Sequence, residues 1–317
     1  MNENDIIDNL RKVVKNSSAI NLNDDVFFDS KKSLVASIDT YNEKIHFINF
    51  KYPNLVIKKA IRSAISDVIS KGIDPKFILI SFSGPKKTFT KKNIKLILNS
   101  IKQEQKKYNF SLIGGDTTLS IKVSFTICVF GYSKKIIKRN SCLYNDDIYV
   151  TGNIGDAAFG LDILRNKFKL SPKLKNYFLD RYFKPDLAFG FHKQLFKFAN
   201  SSMDISDGLL VDLNKLSNNN SLGFIVDYNL IPISNNLKNI IKSKKINLNK
   251  YLFKGDDYQI LFTAKKRYRN EIINISNKWN QKVTRIGIII NKSDNYLKIN
   301  NKFKKIVNYQ GYIHNFG

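Results

Sequence analysis

Ser111-Leu-Ile-Gly-Gly-Asp-Thr-Thr118 is the stretch of this 317-residue sequence on which the interpretation of the rest depends. An apolar run ends there in two glycines, a carboxylate and two hydroxyls, and residues 121–131 then have the pattern of a strand. Gly114 and Gly115 lack side chains and let a ligand approach the backbone, while Asp116 offers the oxygen ligand that Mg²⁺ takes when it bridges to phosphates. Taken alone, the stretch fits a magnesium-phosphate site and an ordinary tight turn equally well.

The composition indicates a globular protein of one large domain or two ordinary ones. Hydrophobic residues make up 43% of the chain, which is enough for a full core. The acidic first ten residues argue against a signal peptide, and no apolar stretch approaches the roughly 20 residues of a membrane-spanning helix. The two cysteines support neither a disulfide framework nor a zinc site, and the apolar pattern around Cys128 predicts a core position. We therefore expect a cytoplasmic protein with no membrane association.

The formal net charge of +27 is compatible with binding to nucleic acid or to an anionic membrane surface. The lysines are nevertheless spread along the chain among many Ile and Asn residues, without a concentrated basic stripe. This pattern favours compositional drift from an AT-rich genome over a dedicated nucleic-acid footprint, so we expect no nucleic-acid partner. The excess charge would help to attract phosphorylated small molecules.

The order of predicted elements indicates two α/β domains, residues 1–142 and 143–317. The first half predicts a helix over 4–16, strands over 26–28 and 34–38, a helix from Pro53 to Gly72, a strand over 77–82, a helix capped by Thr90 to about Lys107, and the strand over 121–131. The second half predicts strands over 148–151, 203–205, 224–228, 258–262 and 283–290, and helices over 157–164, from Pro172 to Phe183, from Pro185 to Ala199 and from Gly208 to about Leu216.

Carboxylates at strand ends and helix starts are the main chemical signal, because α/β proteins place ligands there. They are Asp24, Asp25, Asp39, Asp67, Asp116, Asp204, Asp207, Asp256 and Asp257. Any one of them is more often a cap or turn residue than a ligand. Several brought together would repel strongly unless cations neutralised them, and this predicts more than one Mg²⁺ ion.

The second motif is Met203-Asp204-Ile-Ser206-Asp207-Gly208, in which a predicted strand delivers Asp204 and a helix then begins. A helix N-terminus presents free N–H groups and partial positive charge to an anion, although Asp207 also fits a simple N-cap. His192 is interpreted as structural or exposed, and the three histidines form no catalytic or zinc-binding pattern. No Walker-type loop is present, and residues 151–156 lack the third glycine of a dinucleotide loop and are interpreted as the start of a helix.

In order and spacing, these motifs resemble those of the thiamine-monophosphate kinase family, whose superfamily includes aminoimidazole ribonucleotide synthetase and selenophosphate synthetase. The resemblance covers nearly the whole chain, and its motifs are Asn23-Asp-Asp25, Ser37-Ile-Asp39, His46-Phe47, Ser66-Asp67, Gly114-Gly-Asp-Thr-Thr118, Val150-Thr-Gly152, Gly155-Asp156, Asp204-Ile-Ser-Asp-Gly208, Gly255-Asp-Asp-Tyr258 and Gly311-Tyr312. The segment from Asp39 to Phe47 and the C-terminal Gly311-Tyr-Ile-His314 favour the thiamine branch.

The resemblance implies ATP- and Mg²⁺-dependent phosphorylation of thiamine monophosphate to thiamine diphosphate, by direct in-line transfer. It also implies a homodimer whose N-terminal domains pair into a shared β-barrel, flanked by C-terminal α/β domains. The metal-binding positions of the family fall on Asp25, Ser37, Asp39, Asp67, Asp116, Asp204 and Asp207, with several Mg²⁺ ions expected. The ATP-contacting positions fall on Tyr108, Gly115, Asp116, Arg139 and Ser206, and the substrate-facing positions on His46, Asp256 and Tyr312.

The chain departs from the family pattern at Asn21, Asn23, Ile38, Ala64 and Asp256. Asn tolerates left-handed backbone, so we expect the loop before Asp24 to keep its shape without the usual glycines. Asp256 replaces a Glu and shortens the substrate-facing acid by one methylene. These changes affect the expected substrate affinity more than the expected metal binding.

Two other functions remain open from the sequence. The chain fits another ATP-dependent enzyme of the same superfamily that phosphorylates a different small acceptor. It also fits a basic nucleic-acid-binding protein on an inactivated scaffold, which would bind oligonucleotides in a salt-sensitive manner without turning over ATP. The retained carboxylates disfavour the last interpretation, because they would repel a phosphate backbone.

Overall fold

A computed structural model describes residues 3–218, 221–307, 309, 311, 312 and 314 of the chain. The helices are α1 Glu3–Arg11, α2 Pro53–Ser70, α3 Lys91–Tyr108, α4 Asp156–Leu164, α5 Pro172–Phe183, α6 Leu209–Asn218, α7 Asn235–Lys244, α8 Asn249–Leu252 and α9 Arg269–Lys278. The strands are β1 Phe27–Asp29, β2 Leu34–Asn42, β3 Phe77–Gly84, β4 Ser111–Leu119, β5 Ser124–Tyr132, β6 Asp147–Thr151, β7 Ala199–Asp204, β8 Gly223–Asp227, β9 Ile260–Ala264, β10 Val283–Ile290, β11 Tyr296–Ile299 and β12 Lys302–Lys305.

The chain forms two compact units, each with its own sheet. The N-terminal unit contains residues 26–69 and 73–136, and the C-terminal unit contains residues 1–25, 70–72 and 137–317. The mixed α/β, two-domain class predicted from the sequence is confirmed. The predicted boundary between residues 142 and 143 stays a prediction; the C-terminal unit also takes in residues 1–25 and 70–72.

The N-terminal unit is a five-stranded sheet in the order β1-β2-β5-β3-β4, with α2 against one face. Only β3 and β4 are parallel. Helix α2 is buried on nearly every side, and between Val56 and Ile69 its apolar residues are accompanied by buried polar ones such as Lys59 and Ser66. A buried ion pair connects α2 to α3, with Arg62 Nε 2.8 Å from Glu104 Oε2 and Arg62 Nη2 3.0 Å from Glu104 Oε1. Both members of this pair are fixed by two parallel hydrogen bonds.

The other face of this sheet is exposed. Side chains alternate along β5, so that Phe125, Ile127 and Val129 are buried while their neighbours are not. All nine residues of the edge strand β4 are exposed, and Ile38 on β2 is 66% exposed. Cys128 lies on the exposed face and is only half-buried, so the predicted core position of that cysteine is wrong. The pattern around Cys128 is apolar because both faces of the strand carry large side chains.

The C-terminal unit is a seven-stranded sheet in the order β12-β11-β8-β10-β6-β9-β7. One hydrophobic cluster packs α6 against this sheet, through residues such as Leu213, Val150 and Leu261. A second cluster joins α4, α5, α7 and α8 around Phe159. None of the helices in the described part of the chain has the length and apolar composition needed to cross a membrane.

Most elements agree with the sequence prediction, with differences at several places. The predicted α1 ends at Arg11 and not at 16, since the polar residues after it form loops. The predicted helix from Pro185 to Ala199 is wrong; a short 3-10 helix covers Phe191–Lys197, and strand β7 begins at Ala199. The stretch Ser111–Thr118 is not a tight turn, because β4 runs straight through both glycines.

Candidate functional site

The predicted site residues divide between the two units. The N-terminal unit carries Ser37, Asp39, His46, Asp67, Tyr108, Gly115 and Asp116, and the C-terminal unit carries Asp25, Arg139, Asp204, Ser206, Asp207, Asp256 and Tyr312.

Strand β2 and helix α2 bring three predicted metal ligands together in the N-terminal unit. Ser37 and Asp39 are two residues apart on β2 and therefore share the face that α2 covers. Ser63 and Asp67 are four residues apart on α2 and share one side of that helix. The Ser37 hydroxyl donates to the Asp67 carboxylate, and Ser63 Oγ donates to Asp39 Oδ2 at 3.3 Å. Because the strand face and the helix side contact each other, Ser37, Asp39 and Asp67 form one group of oxygen donors.

Asp116 lies apart from that group. The sheet register aligns Asp116 with Ser81 on β3, Thr126 on β5 and Thr40 on β2. Thr40 follows Asp39, so this row of side chains points away from α2, on the exposed face. Strand β4 is also three strand spacings from β2, about 14 Å. Within one chain, Asp116 therefore does not join Asp39 and Asp67 in a common ligand set.

Gly115 is required by the sheet itself. A Cβ atom at this position would lie 1.8 Å from the Ile80 carbonyl oxygen of the neighbouring strand. The close approach of Ile80 explains why a glycine is needed at position 115 even without a bound ligand. The ATP contact of Gly115 stays a prediction.

Tyr108 and His46 are held by their own surroundings. Tyr108 ends α3 fully buried, with the Arg62 guanidinium 5.4 Å from the centre of its ring. The Nδ1 atom of His46 accepts a hydrogen bond from the Asn42 amide at 3.0 Å, and its ring centroid lies 4.9 Å from that of Tyr41. This hydrogen bond from the backbone amide requires Nδ1 to be unprotonated, so Nε2 carries the proton in the neutral ring.

In the C-terminal unit, Asp24 and Asp25 hold a buried lysine between them. Lys71 Nζ lies 2.8 Å from Asp24 Oδ1 and 2.6 Å from Asp25 Oδ2, and it donates to the Ser202 carbonyl oxygen at 2.8 Å. Arg139 Nη1 lies 3.1 Å from Asp25 Oδ1, and the Arg139 amide donates to Asp24 Oδ2 at 2.9 Å. Both carboxylates therefore already have cationic or amide donors from the chain.

The pKa values in this group follow from burial and charge. Burial alone would raise the pKa of Asp25, but the charges of Lys71 and Arg139 outweigh it and lower that pKa to about 2. Burial alone would lower the pKa of Lys71, but Asp24 and Asp25 raise it above its ordinary value. Asp25 is thus an anion, and Lys71 a cation, throughout the neutral range.

In the loop before Asp24, one of the two asparagines that replace family glycines has a left-handed backbone. Asn21 has a φ of 53°, in the left-handed region, as expected for a residue that replaces a glycine. Asn23 has a φ of −105°, which any residue adopts. The Arg11 side chain donates to the Asn21 carbonyl oxygen at 3.2 Å and to Asn23 Oδ1 at 2.5 Å, and so ties α1 to the loop.

The motif after β7 places Asp207 beside a second lysine. Lys215, nearly two helical turns into α6, pairs with the Asp207 carboxylate and lies 3.1 Å from Asp212 Oδ1. Asp212 Oδ2 accepts hydrogen bonds from the amides of Asp207 and Gly208, both at 3.0 Å. The start of α6 is therefore capped by Asp212 from within the helix, and the Asp207 side chain is left to Lys215. The N-cap interpretation of Asp207 is wrong.

Burial also controls the charges here. Burial raises the pKa of Asp212 to about 6, with the Asp207 charge adding to this effect and Lys215 opposing it. Burial would lower the pKa of Lys215, but the charges of Asp212 and Asp207 raise it above its ordinary value. The Lys215 side chain is 35% exposed, whereas the Lys71 side chain has no exposed surface.

Three segments of the C-terminal unit meet at the motif. Gly255 lies so close to Ser206 that a Cβ atom would be 1.6 Å from the Ser206 carbonyl oxygen, which also accepts from the Asp256 amide at 2.9 Å. The Tyr312 amide donates to the Asp207 carbonyl oxygen at 2.9 Å. The structure thus brings Ser206, Asp207, Asp256 and Tyr312 together, as predicted ATP, metal and substrate positions of one region.

The loop that carries Asp256 has unusual backbone. Asp256 has a φ of 74° and Tyr258 a φ of 51°, and both are non-glycine residues in the left-handed region. Strained backbone of this kind is held only where the surroundings dictate it, and it concentrates at functional sites. The Tyr258 hydroxyl donates to Asp256 Oδ1 at 3.2 Å and fixes the direction of that carboxylate.

Asp257 and Asp156 stabilise the start of α4 beside this loop. Both carboxylate oxygens of the buried Asp257 accept from the Gly155 amide at 3.0 Å, at the start of α4. Burial raises the pKa of Asp257 well above its ordinary value, and the pKa of Asp156 is raised for the same reason. The interpretation of residues 151–156 as a helix start is confirmed. His192 is also structural: it is fully buried, and its Nδ1 accepts from the Gly190 amide at 3.0 Å.

The oxygen donors present fit Mg²⁺ by their chemistry, since carboxylates and a hydroxyl are the ligands that this ion prefers. Within the described residues, however, no group of three or more His, Cys, Asp and Glu side chains is placed to hold a metal ion. The metal-ligand assignments stay predictions. Sequence reasoning missed Lys71, Lys215 and Asp212, and for Lys71 the only signal was a charged residue at the end of an apolar helix.

Comparison with known proteins gives consistent matches along the chain. A sequence profile described as "AIR synthase related protein, N-terminal domain" matches residues 20–133, and "AIR synthase related protein, C-terminal domain" matches residues 193–300. A thiamine-monophosphate kinase from Buchnera aphidicola subsp. Schizaphis graminum is 34% identical over 294 residues, covering 90% of this chain and 88% of the relative. The one from Aquifex aeolicus is 30% identical over 246 residues, covering 77% of this chain and 80% of the relative.

A solved structure is similar over nearly the full length. AaThiL complexed with AMPPCP and TMP has a TM-score of 0.87 and 27% sequence identity, and the match covers 99% of this chain and 97% of that one. The fold and the sequence therefore point to the same group of proteins.

Proposed function

This chain belongs to the thiamine-monophosphate kinase family, and from that premise we propose that it transfers the γ-phosphoryl group of ATP to thiamine monophosphate, giving thiamine diphosphate and ADP. The observation that carries the proposal is the match over 90% of the chain to a kinase of this name, with the predicted carboxylates present. The AaThiL complex supports the same pair of substrates, because it holds an ATP analogue and TMP.

The acceptor in this reaction is a phosphate oxygen, which is already anionic near neutral pH. No strong general base is required, and this agrees with a chain that offers no catalytic histidine pattern. The obstacle is to bring two polyanions together, so positioning and charge neutralisation dominate the barrier. Mg²⁺, when bound, supplies the larger part of that neutralisation.

The chain's own residues contribute in two ways. Arg139 uses Nη1 on Asp25, and a guanidinium has further N–H donors in a planar fork suited to phosphate. We propose that Arg139 binds ATP phosphate while Asp25 fixes its orientation. The Ser37, Asp39 and Asp67 group supplies oxygen donors that are already held in place by Ser63 and by one another.

The homodimer is also part of this proposal. The outer face of the N-terminal sheet exposes Ile38 and Tyr132, and the edge strand β4 exposes Ile113 and Leu119. Exposed apolar side chains on an open sheet edge are an unstable surface for a monomer, and a second copy of the chain would cover them. Asp116 lies on this face, so in the dimer its carboxylate meets the surface of the partner subunit.

The test is an acceptor comparison with purified protein, ATP and Mg²⁺. We expect thiamine diphosphate from thiamine monophosphate and no product from free thiamine. Phosphorylation of free thiamine alone would refute the proposal, and turnover only with an unrelated phosphate acceptor would favour another enzyme of the superfamily. An Asp39→Asn variant should lose turnover and keep its melting temperature, while the surface variant Asp180→Asn should keep both.

The remaining expectations, the binding of several Mg²⁺ ions and a cytoplasmic location, stay predictions.

A further inference from the structure

Lys71 is a fully buried lysine of the C-terminal unit that contacts two carboxylates. Its side chain has no exposed surface, and its Nζ contacts Asp24 Oδ1, Asp25 Oδ2 and the Ser202 carbonyl oxygen at 2.6–2.8 Å. An ammonium has three N–H donors, and these three oxygens use all of them. Lys71 is therefore coordinated by oxygen atoms in the manner of a bound metal ion.

The charges around Lys71 balance. Asp24 and Asp25 contribute two negative charges, and Lys71 and Arg139 contribute two positive charges within 3.1 Å of the carboxylate oxygens. The oxygens of Asp24 also accept from the amides of Asp25 and Arg139, both at 2.9 Å. Two adjacent carboxylates in a buried position need cations, and in this chain the protein itself provides them.

Lys71 is also fixed where it stands. The Ser202 hydroxyl donates to the Ser70 carbonyl oxygen at 2.6 Å, and the Ser202 carbonyl oxygen accepts from Lys71 Nζ. Strand β7 therefore binds both the backbone next to Lys71 and its ammonium. Lys215 differs, because its side chain is 35% exposed and has room to move away from Asp207 when a ligand arrives. Lys71 has no such route to solvent.

We propose that Lys71 is a built-in cation that stands in for one divalent ion at the Asp24–Asp25 pair and holds that pair in position for the reaction. The inference rests on the proposed Mg²⁺-dependent function and deepens it. Lys71 acts through Asp25 and Arg139 and not on substrate, so it is a positioning residue. The native chain then binds one divalent ion fewer than a variant that lacks the Lys71 ammonium and leaves space for an ion.

The experiment counts ions without substrates. Metal-free protein is titrated with MnCl₂, and free Mn²⁺ is measured by electron paramagnetic resonance for native protein, Lys71→Ala and Lys71→Met. Lys71→Ala leaves space for an ion with its water, and Lys71→Met keeps the apolar volume. The matched control is Lys250→Met, which removes a half-exposed lysine from Asp162, a carboxylate that keeps Lys167 as a second partner.

We expect one additional Mn²⁺ per chain in Lys71→Ala, and the native number in Lys250→Met. Mg²⁺ should also raise the melting temperature of Lys71→Ala by about 5 °C more than that of the native protein. A Lys71→Ala chain that folds only in the presence of Mg²⁺ supports the proposal equally. An unchanged ion count with the same Mg²⁺ effect on melting overturns it, and so does failure of both variants to fold in saturating Mg²⁺.

The two levels of the proposal fail separately, because neither readout requires turnover. If the native protein phosphorylates thiamine monophosphate but Lys71→Ala gains no ion, the role of Lys71 is refuted alone. If Lys71→Ala gains an ion but the native protein shows no kinase activity, the proposed function is refuted and the role of Lys71 as a cation at the pair stands.

Discussion

Replacing Asp212 tests whether the start of α6 is capped from inside the helix. The Asp212 carboxylate is fully buried and accepts from the amides of Asp207 and Gly208 at 3.0 Å, with Lys215 at 3.1 Å. Asp212→Ala leaves those two N–H groups without an acceptor, and each such loss costs about 1–3 kcal/mol. We expect Asp212→Ala to lower the free energy of unfolding by about 3 kcal/mol. Asp212→Asn keeps an acceptor oxygen at the same place and should lose far less.

The pH dependence gives this prediction a sign. The folded-state pKa of Asp212 is about 6, against 3.8 for the free side chain, so the folded state holds the proton more tightly. Stability from this group is therefore fully present below the unfolded-state pKa and is lost as the pH rises through the folded-state pKa of about 6. Between pH 5 and pH 8 the native protein should lose about 1 kcal/mol relative to Asp212→Asn, which has no proton to release.

Urea unfolding followed by circular dichroism, in EDTA at pH 5, 6, 7 and 8, measures both effects. The control is Asp180→Asn, which removes an exposed pair with Lys184 and should change stability by about 0.5 kcal/mol or less. The reasoning fails if Asp212→Asn is as unstable as Asp212→Ala at pH 8. It also fails if native protein and Asp212→Asn have parallel pH profiles.

Three further predictions concern other contacts. Glu104→Gln removes the charge that compensates the buried Arg62, so the free energy of unfolding should fall by about 3 kcal/mol in urea titrations, and an equal value for Arg62→Met/Glu104→Leu and Glu104→Gln would contradict this. Asp116→Asn should lower turnover by about 10²-fold or more, because a charge that would bind metal is lost. The melting temperature should not change, because the side chain is exposed. Near-native turnover would show that Asp116 is not a metal ligand. Lys215→Met leaves the Asp207 carboxylate without its cation, so half-maximal turnover should occur at an altered Mg²⁺ concentration, and an unchanged Mg²⁺ profile would show that Lys215 does not influence metal binding.

Elements with strong local signals were predictable from the sequence. Pro53 at the start and the helical spacing of the apolar residues that follow predicted α2 nearly to its last residue. The Thr90 side chain caps α3 as expected, accepting from the Asn93 amide. The alternating pattern gave β10 with its observed bounds. The helix predicted from Pro185 is wrong because proline, although it suits the first turn of a helix, also occurs in loops; residues 185–190 form a loop, and the 3-10 helix begins at Phe191.

The site was predictable in its residue types and less so in its contacts. Ser37 and Asp39 are spaced to share one face of a strand, and Ser63 and Asp67 are spaced to share one side of a helix. Their contact is therefore compatible with the sequence pattern alone. By contrast, nothing local signals that Lys71 reaches Asp24 and Asp25, since 46 residues of chain separate Lys71 from Asp25. Asp116 illustrates the same limit: its motif predicts the ligand type, while the face on which it lies depends on sheet register.

The central claim is direct transfer of the γ-phosphoryl group from ATP to thiamine monophosphate. A single-turnover reaction with γ-³²P-labelled ATP, Mg²⁺ and excess enzyme, quenched in acid and separated by chromatography, follows the label itself. The account predicts that the label leaves ATP and appears in thiamine diphosphate at the same rate, with none on the protein. Label that ends in inorganic phosphate or on the protein, with none in thiamine diphosphate, would contradict it.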